Sequence, residues 1–342
     1  MRQVTSTFNY MLLVCIGLIY FGNNLAFAAR ENNHDGLSVD FRYMPPEWQT
    51  AICLPDDPYK SIVDKSGELL YHYLRVVGGT DGFQTRVGVQ IANDVVWKKQ
   101  QLHSPRVPIV RTFLTANGLE VIEEAFAVTD KLESTTPTKP EGAARNDMIL
   151  VHIKNTGAMP RVVKPQLVVD TCTDFDFRAS AQQVVVNHHE TLTASLKMIG
   201  LTAENDGARR VIQLESLTVP AGRTETFFTL YSGGGKIVLE PATVEQALAS
   251  RDRAVVYWQK LGLPYGRVQV PDAGIQSLLD SSIRNIWQAR EIKDGLPAFQ
   301  VGPTCYRGLW IVDGAFLLEA AAILGAGDQA RNGVAYEMKF QQ

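Results

Sequence analysis

Residues 302–325 read GPTCYRGLWIVDGAFLLEAAAILG and contain a loop, an aromatic pair and an apolar helix. The run 315–324 continues without a helix breaker to Gly325, a residue type that suits the left-handed position after a helix. Asp313 precedes this run, where its carboxylate is expected to cap the free amides of the first turn. Because residues 315–324 are apolar on nearly all sides, the pattern predicts a helix buried among other helices.

Two aromatic side chains and a carboxylate come together at the start of this helix. Tyr306 and Trp310 lie seven and three residues before Asp313. An aromatic ring stacks on the apolar face of a pyranose, and a carboxylate binds its hydroxyl groups. The spacing is therefore typical of a sugar pocket. It is also typical of a capping aspartate beside a core tryptophan with no ligand, so both interpretations stay open at this point.

The string 306–314, YRGLWIVDG, resembles the aromatic–W–x–x–D segment of the six-hairpin glycosidases, which include glucoamylases and related bacterial enzymes. The resemblance implies a supersandwich-like antiparallel β-sandwich, a linker helix and an (α/α)6 barrel. It also implies that Trp310 and Asp313 line the subsite for the non-reducing-end sugar, with Tyr306 and Arg307 as further substrate-binding candidates. Many members carry Arg directly before this Asp, and Val312 stands in that place here. Residues 48–64 also resemble the opening segment of these secreted enzymes.

The first residues have the pattern of a signal peptide. Arg2 gives a weakly basic start, residues 10–22 are apolar, and Ala26-Phe27-Ala28 matches the small-x-small cleavage pattern. The apolar run is shorter than the roughly 20 residues of a membrane span. We therefore predict cleavage after residue 28 and export, either to a periplasm or out of the cell, with no membrane span.

Composition describes an ordinary folded protein with room for two domains. The chain has 342 residues, 45% of them hydrophobic and 20% charged, and a formal net charge of −3. This charge gives no electrostatic reason to expect a nucleic-acid partner. A carbohydrate substrate is the predicted partner, and the sequence leaves the oligomeric state open.

Cysteine and histidine spacing predicts no metal site and no cofactor. After cleavage Cys53, Cys172 and Cys305 remain, an odd number that implies a free thiol or a partner elsewhere. None of them stands at metal-ligand spacing from another. His188 and His189 lie in a strand-like run, where neighbouring side chains point to opposite faces.

Short alternating runs predict an antiparallel β-sandwich with no intervening helices. Asn117-Gly118 between two such runs is a strong hairpin signal. The ten predicted strands are 69–77, 85–92, 109–115, 119–128, 147–154, 161–169, 183–187, 191–198, 210–217 and 224–231.

Helical periodicity follows the sandwich. Residues 241–261 predict a linker helix, and residues 271–294 predict a barrel helix that ends at Gly295. The predicted division is a signal peptide (1–28), an extended N-terminal segment (29–66), a β-sandwich (67–235), a linker helix (236–270) and the start of a truncated (α/α)6 barrel (271–342).

The resemblance covers about residues 48–342 and implies the N-terminal portion of a secreted glycoside hydrolase that acts on oligo- or polysaccharide. Glycoside hydrolysis needs two carboxyl groups flanking the scissile bond. In the family both come from later barrel helices, so no catalytic residue is assigned and we expect this chain alone to be inactive. The alternative hypothesis is a non-catalytic β-sandwich module that binds glycan or a protein partner.

Overall fold

The computed structural model describes residues 47–74, 82–129, 145–204, 208–233 and 241–340. Its strands are β1 (Gln49–Ala51), β2 (Ile62–Asp64), β3 (Leu69–Tyr73), β4 (Phe83–Gln90), β5 (Val96–Ser104), β6 (Val107–Ala116), β7 (Leu119–Val128), β8 (Asn146–Asn155), β9 (Arg161–Val163), β10 (Gln166–Thr171), β11 (Phe175–Arg178), β12 (Gln183–Val186), β13 (Glu190–Ala194), β14 (Met198–Glu204), β15 (Arg209–Leu214), β16 (Leu217–Val219), β17 (Thr224–Tyr231), β18 (Glu291–Lys293) and β19 (Leu296–Ala298). Its helices are α1 (Val244–Lys260), α2 (Ala273–Ala289), α3 (Ile311–Ile323) and α4 (Gly327–Met338).

Two large antiparallel sheets form the predicted sandwich. Within the described ranges one sheet has the order β1-β2-β3-β4-β10-β15-β14 and the other the order β11-β12-β13-β17-β8-β7-β6-β5. Their inner faces share one hydrophobic core, which includes Val87 and Leu167 from the first sheet and Val151 and Phe227 from the second. The β-sandwich fold class is thereby confirmed.

The central strands of the eight-stranded sheet are buried on both faces. In β8, Ile149 and Val151 point into the sandwich core, whereas Met148 and Leu150 pack in a second core with the helices. Successive strand side chains point to opposite faces, so a strand covered on both sides is apolar at consecutive positions. Helix α1 covers this outer face by packing on β6, β7 and β17.

The linker helix α1 begins and ends close to the predicted bounds. Thr243 caps it, because its hydroxyl accepts a hydrogen bond from the Gln246 amide at 3.3 Å. Tyr257 and Trp258 are buried near its end, in the core shared with the eight-stranded sheet. None of the helices in the described ranges is long and apolar enough to cross a bilayer.

The prediction that one helix runs to residue 294 is wrong. Helix α2 ends at Ala289, and the chain then forms the β18–β19 hairpin. Asp294 and Gly295 both have positive φ, of 50° and 74°, as the two central residues of a type I′ hairpin turn require. Gly295 therefore closes a hairpin and does not follow a helix.

Two other local predictions are also wrong. The predicted strand 161–169 is two strands, β9 and β10, interrupted at Lys164-Pro165, because proline cannot donate to a strand ladder. His188 lies in the turn between β12 and β13 with φ of 63°, and not in a strand; its Nδ1 lies 3.0 Å from the Asp174 carboxylate.

Several predicted segments are only partly described. The signal peptide and the predicted end of the sandwich at residues 234–235 lie outside the described residues. The predicted extended segment 29–66 is described from residue 47, and its residues form β1 and β2 at the edge of the seven-stranded sheet.

The three described cysteines are all free thiols. Cys53 is buried, Cys172 is exposed and Cys305 is half-buried.

Candidate functional site

Helix α3 begins four residues before the predicted start. The amide of Gly314 donates to the Trp310 carbonyl at 2.6 Å, which places Trp310 at the N-cap and Asp313 inside the first turn. The predicted capping role of Asp313 is therefore wrong. A carboxylate in the first turn is still favoured by the partial positive charge of a helix N-terminus. Gly325 has φ of 90° just after the helix, as predicted.

Only one side of α3 is buried within the described chain, through Gly314, Leu318 and Ala321. The expectation of a helix buried on all sides is thus not met. Ile311, Val312 and Ile323 are each more than half exposed. The start of α3 is therefore an open surface next to the aromatic loop.

The structure brings two of the four candidate residues into contact. The rings of Tyr306 and Trp310 lie edge to face, with centroids 5.6 Å apart. Both remain open to solvent, at 62% and 45% of their full accessible surface. Tyr306 has φ of 53°, a conformation that costs a bulky side chain free energy and that clusters at functional sites. The pair is therefore an exposed aromatic surface held by a strained loop.

Arg307 is held from the opposite side of the loop. Its Nη2 atom donates to the Pro58 carbonyl at 2.9 Å and to the carboxylate of Glu291. Glu291 is buried in the unpredicted β18–β19 hairpin, and Lys293 Nζ lies 3.5 Å from its second oxygen. About a third of the Arg307 side chain is exposed. Arg307 thus ties the aromatic loop to the N-terminal segment and to the hairpin.

Asp313 stands in the first turn of α3, three residues after the N-cap Trp310. Its side chain is partly buried. The four candidates therefore divide into an aromatic pair, a carboxylate in the first turn of α3 and an arginine that anchors the loop.

A buried ionic network beneath this loop was not predicted from the sequence. The carboxylate of Asp56 accepts two hydrogen bonds from the Arg290 guanidinium, at 2.6 and 2.7 Å, and both side chains are almost fully buried. Lys60 donates to the carbonyls of Gln288 and Arg290 at 2.6 and 2.9 Å. Burial lowers the pKa of Lys60. These contacts fix the N-terminal segment against the end of α2.

A second part of the network lies between the N-terminal segment and the sandwich. Arg145 lies 2.9 Å from Asp57 and 3.1 Å from Asp147, and Tyr71 donates to Asp147 at 2.7 Å. Burial raises the pKa of Asp147, although Arg145 acts in the opposite direction. His152 binds Thr226 and Glu124 instead. His152 therefore lies outside the Arg145–Asp147 network.

Several solved structures of other proteins are similar to this chain. One is a bacterial glucoamylase complexed with acarbose, at 9% identity and a TM-score of 0.47, over 82% of this chain and 47% of that one. Another is a protein described as a kojibiose phosphorylase, from the human microbiome (10% identity, TM-score 0.28, 71% and 32% covered). A third is a family GH92 α-mannosidase from Bacteroides thetaiotaomicron (9% identity, TM-score 0.26, 72% and 42% covered).

These similarities cover only part of each of the three proteins. The chain spans about half the length of the glucoamylase and less of the other two proteins. No protein-family model and no curated protein matches this chain.

Proposed function

We propose that this chain is part of an exported, carbohydrate-active protein of the glycoside hydrolase type, and that Tyr306, Trp310 and Asp313 form a sugar subsite in it. The observation that carries the proposal is the exposed aromatic pair at the start of α3, followed by a carboxylate in the first turn of that helix. It is a proposal about binding, and no catalytic residue is assigned.

The exposure of the pair favours a ligand over a purely structural role. Aromatic rings that serve only the core are buried, as Trp287 and Tyr231 are in this chain. Tyr306 and Trp310 instead present about half of their surface to solvent while contacting each other. Such a surface matches the C–H face of a pyranose, and the edge-to-face arrangement offers two ring planes to one sugar.

The loop geometry supports the same role. Tyr306 has a strained backbone conformation. On either side of it the loop is fixed by two contacts: the Gly308 amide donates to the side chain of Gln300 at 2.6 Å, and Arg307 binds Glu291. These contacts hold the loop before any ligand arrives, which reduces the entropy that binding costs. In this proposal Arg307 contributes by holding the loop in position.

The proposal is tested by oligosaccharide binding to the purified chain. Maltotriose, cellotriose and mannotriose are titrated while tryptophan fluorescence and amide chemical shifts are recorded. We expect one of them to bind, and Trp310→Ala and Asp313→Asn each to weaken that binding at least tenfold, or about 1.4 kcal/mol. Val312→Ala is the matched control, since Val312 is exposed on the same turn and lacks sugar-binding chemistry. The subsite is refuted if none of the three sugars binds, or if the two variants bind like the control.

A further inference from the structure

A cleft of about 520 Å³ opens at one end of the sandwich. Its residues are distant in sequence from the aromatic loop. It lies between three connections: the β4–β5 loop, the Asn117-Gly118 turn of the β6–β7 hairpin, and the segment around β9. Its volume falls within the range of about 300–1,000 Å³ that small-molecule sites occupy.

The cleft has an apolar floor and a polar rim. Ile91, Leu119 and Val163 line it and are nearly inaccessible to water. Exposed polar side chains lie around them, with Asp94 from one connection and Lys164 from another. An apolar floor of this kind packs against the C–H face of an organic ligand, and the polar side chains of the rim bind the polar groups of that ligand.

The Arg161 side chain at this rim lies close to two glycines, Gly118 and Gly157. A Cβ atom on Gly118 would lie 3.1 Å from Arg161 Nη2, and one on Gly157 would lie 3.7 Å from Arg161 Nε. Gly118 also has φ of 78°, which favours glycine. In the described part of the chain no carboxylate forms an ion pair with Arg161. The guanidinium thus lies where a side chain at either glycine would crowd it, and no described carboxylate uses its donors.

Charge decides the ligand class. Arg161 and Lys164 bring two positive charges to the cleft, and Asp94 brings one negative charge. A guanidinium binds a carboxylate through two parallel hydrogen bonds. A simple inorganic anion would use the cations, but it would leave the apolar floor uncovered and would be repelled by Asp94. A sugar that carries a carboxylate uses all three features, because its hydroxyl groups donate to the Asp94 carboxylate and to the side-chain carbonyl of Asn117.

We infer that this cleft binds an acidic sugar residue, with Arg161 on the carboxylate, Lys164 beside it and Asp94 on the hydroxyls. The inference is independent of the proposed subsite at Trp310, since the two sites have no residue in common. It gives the sandwich a glycan-binding role of its own.

Binding of glucuronate and galacturonate, measured by calorimetry and amide chemical shifts, tests the inference. Glucose, acetate and inorganic phosphate serve as comparison ligands. We expect a uronate to bind at least tenfold more tightly than any of these three, and Arg161→Gln to weaken it at least tenfold. Lys164→Gln, at an exposed position, is expected to weaken it about threefold or more.

Two control variants test whether uronate binding is specific to this cleft. Arg178→Gln removes an exposed arginine from β11, at the far edge of the eight-stranded sheet, and is expected to change uronate binding less than twofold. Trp310→Ala is expected to leave the uronate-induced amide shifts of Arg161 and Lys164 unchanged, so that failure of the subsite and failure of the cleft are distinguishable. Equal binding of phosphate or acetate, equal binding of glucose, or full uronate binding by both Arg161→Gln and Lys164→Gln overturns the inference.

Discussion

Replacing Glu123 with glutamine is expected to stabilise the protein at neutral and alkaline pH and to leave its stability in acid unchanged. Glu123 lies on β7 with only 3% of its surface exposed, and its Oε1 atom has no hydrogen-bond partner among the described residues. Burial, followed by the nearby carboxylates of Glu68 and Asp64, raises its pKa to about 8. The folded protein therefore prefers the neutral acid.

The sign and size of the effect follow from linkage. The pKa of Glu123 in the folded state, about 8, lies above its ordinary value of 4.5. Below pH 4.5 both states hold the proton, so folding loses nothing through this group. Between pH 4.5 and 8 the unfolded chain ionises and the folded protein does not, and the free energy of unfolding falls by about 1.36 kcal/mol per pH unit. The loss is about 4 kcal/mol at pH 7.5 and levels off near 5 kcal/mol above pH 8.

Urea unfolding of the two proteins between pH 4 and 8.5 measures this loss, because urea leaves the ionic strength unchanged. The difference between Glu123→Gln and the parent protein is expected to rise from near zero at pH 4 to several kcal/mol at pH 8. Glu120→Gln is the matched control on the same strand. Glu120 is half exposed and pairs with Lys154 at 3.3 Å, so its change is expected to stay below about 1 kcal/mol at every pH. A difference that does not depend on pH, or a parent protein that is the more stable at pH 8, refutes the reasoning.

Two further substitutions test the packing around the candidate site. Asp56→Asn leaves the Arg290 charge buried without its carboxylate, and chemical denaturation is expected to show a loss of about 3–5 kcal/mol; a loss below about 1 kcal/mol, the range of exposed pairs, contradicts the assigned burial. Gly333→Ala is expected to destabilise α4, although alanine favours helices by about 1 kcal/mol, because its Cβ would lie 2.3 Å from Leu318 Cδ2. A rise in melting temperature for this variant contradicts the close approach of α3 and α4.

The β-sandwich could be predicted because the sequence patterns that indicate its strands and turns are local. Asn117-Gly118 closes the β6–β7 hairpin with Ala116 opposite Leu119, as the dipeptide indicated. Strand β5 was missed, since its Lys98, Lys99 and Gln100 break the apolar alternation of a buried strand. The sequence carried a signal for the β18–β19 hairpin in Asp294-Gly295, but a preceding helical pattern led to its interpretation as a helix end.

The site could be predicted only in part, because most of its contacts join distant segments. The proximity of Tyr306 and Trp310 follows from their spacing, and the helix after them follows from composition. The partners of Arg307 come from Pro58 and from Glu291, which periodicity does not connect to it. The strained backbone of Tyr306 and the early start of α3 also depend on the loop, so Asp313 was assigned a capping role that Trp310 occupies.

The Asp56–Arg290 pair has a consequence for how the chain folds. Its two residues are 234 positions apart, so the ribosome completes nearly the whole sandwich before the arginine exists. Until then no guanidinium pairs with the Asp56 carboxylate, so the N-terminal segment lacks the contact that fixes it against the end of α2. Contacts of such long range slow folding, and the open edge of the seven-stranded sheet stays exposed to other chains in the meantime. A chain truncated before residue 290 is therefore expected to fold its central strands and still to aggregate through the exposed edge strand of its N-terminal segment.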